Sequence, residues 1–382
     1  MNNIEVEQLK RDLKKYLKYA DDKINEIHNL KETKLVELKN SIMKLKEEED
    51  KKNKINEIQN CINNIFNRNV SVIKNNVSNS VISDRKPKIL FISDVKGWAW
   101  WIKTEYLKKY LSDEFDIDLV CLIGSGSIAS SKIDQSKYDL YFTYGFSYID
   151  FLTRVPKNKK VTGITAHRSK NIILPKMQLA GYHHANSIML LKELRDMGFK
   201  KSFYVPNGVD ENLFKPINHI KKSGDLVVGH VGKKCSAKGH DEFILPAIKK
   251  CGVKSATNLR TWKDRVPHNE MPKIYNEMDV FVVASVEDGT PNPALEAAAC
   301  GRPIISNAIG NMPNLIKDGY NGFIVPRKID AYVEKINYFK NNRDELIRMG
   351  NNARKTIEEG WTWKIQSENY RRMFREIFGI QK

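Results

Sequence analysis

From residue 88 onward the chain alternates short apolar runs with polar or helical stretches, and it does so in two successive series. The first run, Lys88-Ile-Leu-Phe-Ile-Ser93, passes into Asp94-Val-Lys-Gly97 and then into a helical stretch from Trp98 to Leu111. Strand, glycine loop and helix in that order open a parallel α/β unit, because parallel strands need a crossover element between them. Further runs at 117–123, 138–144, 161–165, 187–191 and 202–205 extend one Rossmann-like sheet. After Lys221-Lys222-Ser223-Gly224 a second series begins, with strands expected at 226–231, 280–284, 303–306 and 322–325. Helices expected at 241–249, 292–299 and 312–316 complete a second doubly wound domain. A chain of 382 residues is long enough for both cores. The cleft between two such halves is where a ligand sits.

The first 66 residues contain no Pro or Gly, and Leu9, Leu13, Leu17, Ile24, Ile27, Leu30, Leu35, Leu38, Ile42 and Leu45 recur at spacings near three and four. This is the pattern of a long amphipathic helix with coiled-coil character, suited to a homo-oligomeric stalk or a spacer. Residues 1–60 carry 14 basic and 13 acidic side chains, so the remaining 322 residues hold +17 of the formal +18. A balanced helix is poorly suited to a membrane surface. The basic remainder suits polyanions: nucleoside diphosphates, an anionic membrane face or cell-wall polymer, or nucleic acid. Lysine-rich usage in an AT-rich genome is the alternative source of that excess. Residues 67–86 are polar and aperiodic, and read as linker.

The N-terminus lacks an apolar signal core, and no run approaches the roughly 18 apolar residues of a membrane helix. The expectation is a cytoplasmic protein that meets a membrane, if at all, from its surface. Cys61, Cys121, Cys235, Cys251 and Cys300 are scattered without a CxxC pair, which reads as reduced thiols and no zinc site.

The sharpest local feature is Glu287-Asp-Gly-Thr-Pro-Asn-Pro-Ala-Leu-Glu296, directly after a buried-strand pattern. A helix beginning near Asn292 presents backbone N–H groups and the positive end of its dipole, an anion site suited to a diphosphate. Asp288 precedes that helix and Glu296 lies one turn inside it, so two carboxylates flank the phosphate site. A purely structural pair, a capping acid and a half-buried helix residue, is the competing reading of these two positions.

From about residue 86 to its end the chain resembles the retaining GT-B glycosyltransferases of family 4. The resemblance rests on the acid-x7-acid segment Asp288 to Glu296, on Pro206-Asn-Gly-Val-Asp210 with Phe214 and Pro216, on Val266-Pro-His-Asn-Glu-Met271 with Tyr275 and Asp279-Val-Phe-Val-Val-Ala-Ser285, and on Asp318-Gly-Tyr-Asn-Gly-Phe-Ile-Val325. It implies an α/β GT-B architecture with an acceptor domain at 87–218, a donor domain at 219–360 and a C-terminal helix at 361–382 that crosses back to the first domain. It also implies a nucleotide-diphosphate sugar as donor substrate, retention of configuration and no metal or other cofactor. The implied donor contacts are Gly97, Lys233, Lys238, Val266, Gly289, Thr290, Asn292 and Glu296. Asp288 and the cleft histidine, His167, are the implied catalytic pair, with Arg168 a candidate acceptor or phosphate contact.

The sequence departs from the family pattern in three places. Asp288 stands where glutamate is usual, with Glu287 beside it. In Gly232-Lys-Lys-Cys-Ser-Ala-Lys-Gly239, Lys238 matches the family lysine but Lys233 replaces an arginine, which keeps the charge and loses the bidentate fork. Asn314 replaces a frequent glutamate, and nothing in the sequence explains that change. Trp98, Trp100 and Trp101 open the first helix, either as core or as an acceptor groove that stacks on a sugar ring. The acceptor implied is a cell-envelope glycan, a lipid-linked sugar or a protein. A modified DNA base is the runner-up on charge, and a non-catalytic scaffold that keeps the fold is the reading favoured by the departures.

Overall fold

Ile89 to Ile92 are at most 1% exposed, which requires cover on both faces of the strand that carries them and therefore a sheet sandwiched between helices. The computed structural model describes residues 85–123, 133–134, 136–260 and 266–380, and apart from Arg85 these fall in one compact unit, Lys86–Lys382. The helical extension expected over 1–66, and all but the last two residues of the expected linker, lie outside the described residues.

The first sheet is built of β1 (Lys88–Val95), β2 (Asp116–Ile123), β3 (Leu140–Thr143), β4 (Lys160–Ile164), β5 (Tyr182–Ala185) and β6 (Ser202–Tyr204). All pairs are parallel, in the order β2-β1-β3-β4-β5-β6. The second contains β7 (Val227–Lys233), β8 (Lys254–Arg260), β9 (Val280–Val283), β10 (Ile304–Ser306) and β11 (Gly322–Ile324) in the parallel order β11-β10-β9-β7-β8. In each sheet the order reverses beside the first strand, at β1/β3 and at β7/β9. Connections leave a switch point in opposite directions and open a crevice at the carboxyl ends of the strands. Gly97 follows β1, Lys233 ends β7, and the Glu287–Glu296 segment follows β9, so the sequence's candidate residues emerge at these two crevices.

One expected strand is corrected. Residues 187–191 begin a helix, Ile188–Asp196, and the strand is Tyr182–Ala185 just before it. The Ser187 hydroxyl accepts from the Leu190 amide at 3.2 Å, a helix N-cap, and the apolar residues beyond it bury Leu190, Leu191 and Leu194 on one helical face. Strand β8, Lys-Ser-Ala-Thr-Asn-Leu-Arg, is an edge strand and is polar enough to have escaped an apolar-run reading.

The last helix, Trp363–Phe378, is capped by the Thr362 hydroxyl and lies on the first sheet. Its Tyr370, Met373 and Phe374 join Phe91, Phe115 and Phe142 in one buried cluster. Arg371 binds Asp113 and Glu114, and Arg375 binds Glu114, which fixes the helix to the end of helix Ala99–Leu111. The preceding helix, Arg343–Gly360, packs against the second sheet's core through Ala353 and Ile357. The chain therefore passes between the halves at Trp361 to Trp363, where Val209 N donates to Trp361 O at 2.9 Å and Trp363 N to Val209 O at 3.1 Å.

Gly208 makes this crossing close: a Cβ there would stand 2.7 Å from Trp363 Cα and N. Backbone cannot yield as a side-chain tip can. Gly208→Ala is expected to lower stability by about 1–3 kcal/mol, read as a lower urea midpoint with unchanged slope. A variant with wild-type stability would show that the crossing is looser than the geometry implies.

Candidate active site

The turn after β7 holds the cationic wall. Residues Ser236–Lys238 form one 3-10 turn that ends at Gly239, whose φ of +64° lies in the left-handed region that glycine tolerates. A Cβ on Gly239 would also stand 2.4 Å from Ala284 O, so the turn is pressed against the end of β9. This brings Lys238 to Asp288: Nζ lies 2.8 Å from Oδ1 and 2.7 Å from Oδ2. Both side chains are largely buried, 23% and 15% exposed, so the pair is only partly screened by water.

A cavity of about 230 Å³ opens beside this pair, lined by Lys233, Lys238, Asp288, Thr290, Asn292 and His230 among others. It adjoins a larger one of about 330 Å³, bounded by Gly97 and Trp98 from the first sheet's side and by Val266, Tyr275 and Glu296 from the second. Lys233 and Asn292 line both. Asn292 is the first residue of helix Asn292–Ala299, so a helix N-terminus stands at the junction of the two spaces. One turn on, Glu296 faces the larger cavity and accepts from the Tyr275 hydroxyl at 2.5 Å.

The halves touch through backbone. Gly289 N donates to Thr165 O at 3.0 Å, and Asn311 N donates to Gly289 O at 2.7 Å. Asn186 O accepts from Thr290 Oγ1 and from Asn311 Nδ2, both at 2.6 Å. Farther in, Lys103 Nζ donates to Asn207 Oδ1 at 2.7 Å, and Asn207 Nδ2 donates to Asn292 Oδ1 at 2.6 Å. Arg168 NH1 pairs with Glu287 across the same boundary.

Of the residues singled out in the sequence, Gly97, Lys233, Lys238, Val266, Asp288, Thr290, Asn292 and Glu296 line the two adjoining cavities. Gly289 lines neither and instead forms the backbone contact with Thr165. His167 also lines neither; its Nδ1 is held by Glu193, and it stands two residues from that contact. The tryptophans divide: Trp98 borders the larger cavity, Trp100 stacks on Tyr144 with centroids 5.7 Å apart, and the Trp101 Nε1–H group donates to Glu105. Asn314 is exposed in the short helix Met312–Leu315, and the structure gives its identity no explanation.

Sequence reading missed Lys103, His230 and the role of Asn207. His230 is 2% exposed and donates through Nδ1 to Val282 O at 2.9 Å; burial pulls its ring down to about 4, so it is neutral near pH 7. Lys103 is 3% exposed, with its ammonium over the faces of Tyr144 and Tyr370, and burial pulls it down to about 7. Its place inside the helix Ala99–Leu111, next to buried Thr104 and Leu107, was the only available signal. Among the described residues no group of three His, Cys, Asp or Glu is placed to hold a metal ion, and no helix is long and apolar enough to cross a membrane.

Comparison with known proteins agrees with this architecture. Residues 218–356 match the family described as Glycosyl transferases group 1. Spore coat protein SA of Bacillus subtilis is 29% identical over 153 residues, covering 39% of this chain and 40% of that protein. The capsular polysaccharide biosynthesis glycosyltransferase CapM of Staphylococcus aureus is 25% identical over 242 residues, covering 57% of this chain and 58% of CapM. The chain thus spans well under two thirds of the length of either relative. The Anabaena Alr3699/HepE structure in complex with UDP and glucose superimposes with a TM-score of 0.60 at 17% identity, covering 75% of this chain and 99% of that one. Two parallel-sheet α/β halves and such neighbours identify the fold as GT-B, and the family match falls on the second half.

Burial of Lys103 has a measurable sign. Its proton is held less tightly in the folded than in the unfolded chain, so between about pH 7 and lysine's ordinary value near 10.5 the unfolded state binds more protons. Across that window wild-type stability should rise relative to Lys103→Met by up to about 1.4 kcal/mol per pH unit. Urea midpoints of both proteins at several pH values test this; parallel profiles would refute a depressed lysine.

Proposed function

We propose that this chain is a glycosyltransferase that moves a sugar from a nucleoside-diphosphate donor, bound in the cleft between the two sheets, to an acceptor, with retention of configuration and without a metal. The observation that carries the reading is the convergence of Lys233, Lys238, Asp288, Thr290 and the Asn292 helix start on one cavity, with Glu296 on the adjoining one. That distribution matches a donor with its anionic centre at the junction and a polyol on either side.

When a glycosidic bond to a diphosphate breaks, negative charge develops on the leaving phosphate oxygen. Groups already aimed at that charge lower the barrier without reorganising in the reaction. Lys238, Lys233 and the helix N-terminus are the groups we assign to this task. Asp288 already pairs with Lys238, so an arriving diphosphate competes with a carboxylate for the ammonium. Asp288 is then released toward the transferred sugar, which links donor binding to arming of the acid. We assign Glu296, fixed by Tyr275, to the ribose hydroxyls in the larger cavity, with Gly97 and Val266 as its other walls. His167 is assigned to the sugar side of the rim, its ring held by Glu193 through Nδ1, which leaves Nε2 as the nitrogen for a ligand.

The acceptor belongs to the first half, where Trp98 offers an aromatic face. A cell-envelope glycan, lipid-linked sugar or protein is the class we favour, in keeping with relatives named for capsular polysaccharide biosynthesis and for the spore coat. The first 66 residues are assigned to self-association.

A thermal-shift screen with UDP-, GDP- and ADP-sugars identifies the donor, because a ligand that binds only the folded state raises its apparent stability. With that donor, Lys238→Ala should lower kcat/KM by about 100- to 1,000-fold, while Glu296→Gln should act mainly by raising the donor KM. Released nucleoside diphosphate is the readout. Undiminished turnover in Lys238→Ala would overturn the assignment; a donor that binds without turnover under any acceptor condition would favour a scaffold.

A further inference from the structure

A hydrogen-bond chain runs from the buried Lys103 through Asn207 to Asn292, at 2.7 and 2.6 Å, and it crosses from the first half into the start of the second half's cleft helix. Its direction is not arbitrary. An ammonium only donates, whereas a carboxamide has one end that accepts and one that donates. Facing Lys103, Asn207 must present Oδ1, which turns its NH2 toward Asn292. Facing that NH2, Asn292 must present its own Oδ1, which turns the Asn292 NH2 to the side away from Asn207; Asn292 itself lines both cavities. Lys103 and Asn207 are at most 7% exposed, so water does not compete for these bonds.

We infer that Lys103 is a positioning residue: by fixing the polarity of the Asn207 amide it makes Asn292 a hydrogen-bond donor toward the anionic centre of the ligand. This rests on the proposed diphosphate site. Free to flip, Asn292 presents either an N–H group or a carbonyl oxygen, and an oxygen facing a diphosphate repels it. Lys103 borders the larger cavity, but its ammonium is engaged by Asn207. Its ammonium is held between the Tyr144 and Tyr370 faces, at 4.9 and 5.2 Å from their centroids, which keeps the cation in place with no carboxylate partner beside it among the described residues. A carboxylate there would also accept from Lys103 and would remove the need for Asn207 to turn its oxygen inward.

The discriminating variant is Asn207→Asp. The carboxylate still accepts from Lys103, and in a stronger pair, but its second oxygen now faces Asn292 and accepts; Asn292 must flip, and its oxygen turns to the cavity. UDP binding to the full chain, measured by calorimetry near pH 6.5 where Lys103 is an ammonium, should weaken on the order of tenfold or more, with the thermal midpoint of the unliganded protein retained. Lys103→Met, which frees the amide to turn, should weaken binding several-fold. Both losses should vanish in an Asn292→Ala background, because nothing is left to flip. Losses of equal size in both backgrounds would mean a merely structural role, and full UDP affinity in folded Asn207→Asp would overturn the inference. If the wild type binds neither UDP nor GDP nor ADP, the diphosphate reading fails and this one falls with it. Wild-type binding with unaffected variants removes only the polarity relay.

Discussion

The cleft's shape depends on a contact in which backbone meets backbone. Gly289 lies against Thr165, and Gly310, at φ +53°, lies against Gly289; a Cβ on Gly289 would stand 2.7 Å from Thr165 O, and one on Gly310 1.9 Å from Gly289 O. Such a contact holds position more tightly than side chains do, because peptide groups have no rotamers through which to yield. Asp288 and Thr290 flank Gly289, and the cleft helix starts two residues later, so the acid, the hydroxyl and the helix N-terminus all take their coordinates from this one seam. The crossing at Gly208 and Trp363 is the second tie. Between two ties the cavities keep a defined width.

Lys238 and Arg168, two of the cleft's cations, are each paired with a carboxylate, although the described part of the chain is strongly basic. Lys238 is matched by Asp288 and Arg168 by Glu287. A half-buried ion pair contributes little net stability, since desolvation offsets most of the attraction. The value of the Lys238–Asp288 pair lies in exchange: both members are already largely desolvated and oriented, so a ligand of matching charge replaces one partner at little cost in ordering. The net positive field acts at longer range and favours arrival of an anion.

Much of this was legible in the sequence because it is local. The Glu287–Glu296 segment, the Lys233 to Gly239 turn and the strands before them each lie within one loop, and a local pattern survives without knowledge of the fold. Two kinds of feature were not legible. Strand β5 was displaced onto residues 187–191 because Ile188 to Leu191 is as apolar as a strand, and only the Ser187 cap separates helix from strand there. The Lys103–Asn207–Asn292 chain joins residues 104 and 85 positions apart, and a lysine within a helix reads as solvated until the helix Trp363–Phe378 is known to cover it. His167 shows the converse limit: the motif fixed its neighbourhood, near the Gly289 seam, but not that Glu193 on the following helix would hold its ring.

Lysine at 233, where the resembling family carries arginine, brings the geometry of the site into focus. A guanidinium supplies both charge and direction, because its N–H groups form a rigid fork; an ammonium supplies charge alone. With lysine at both 233 and 238, the diphosphate binding proposed above must take its direction from groups whose orientation is fixed by other means. The cleft contains two: the helix start at Asn292, whose amides are aligned by the helix, and the Asn292 carboxamide, whose polarity follows from a third, buried lysine. Direction has moved from a side-chain fork into a backbone and a hydrogen-bond chain that spans both halves. Such a site recognises its ligand fully only when the halves are in register, because separating them breaks the Asn207–Asn292 bond and frees the amide.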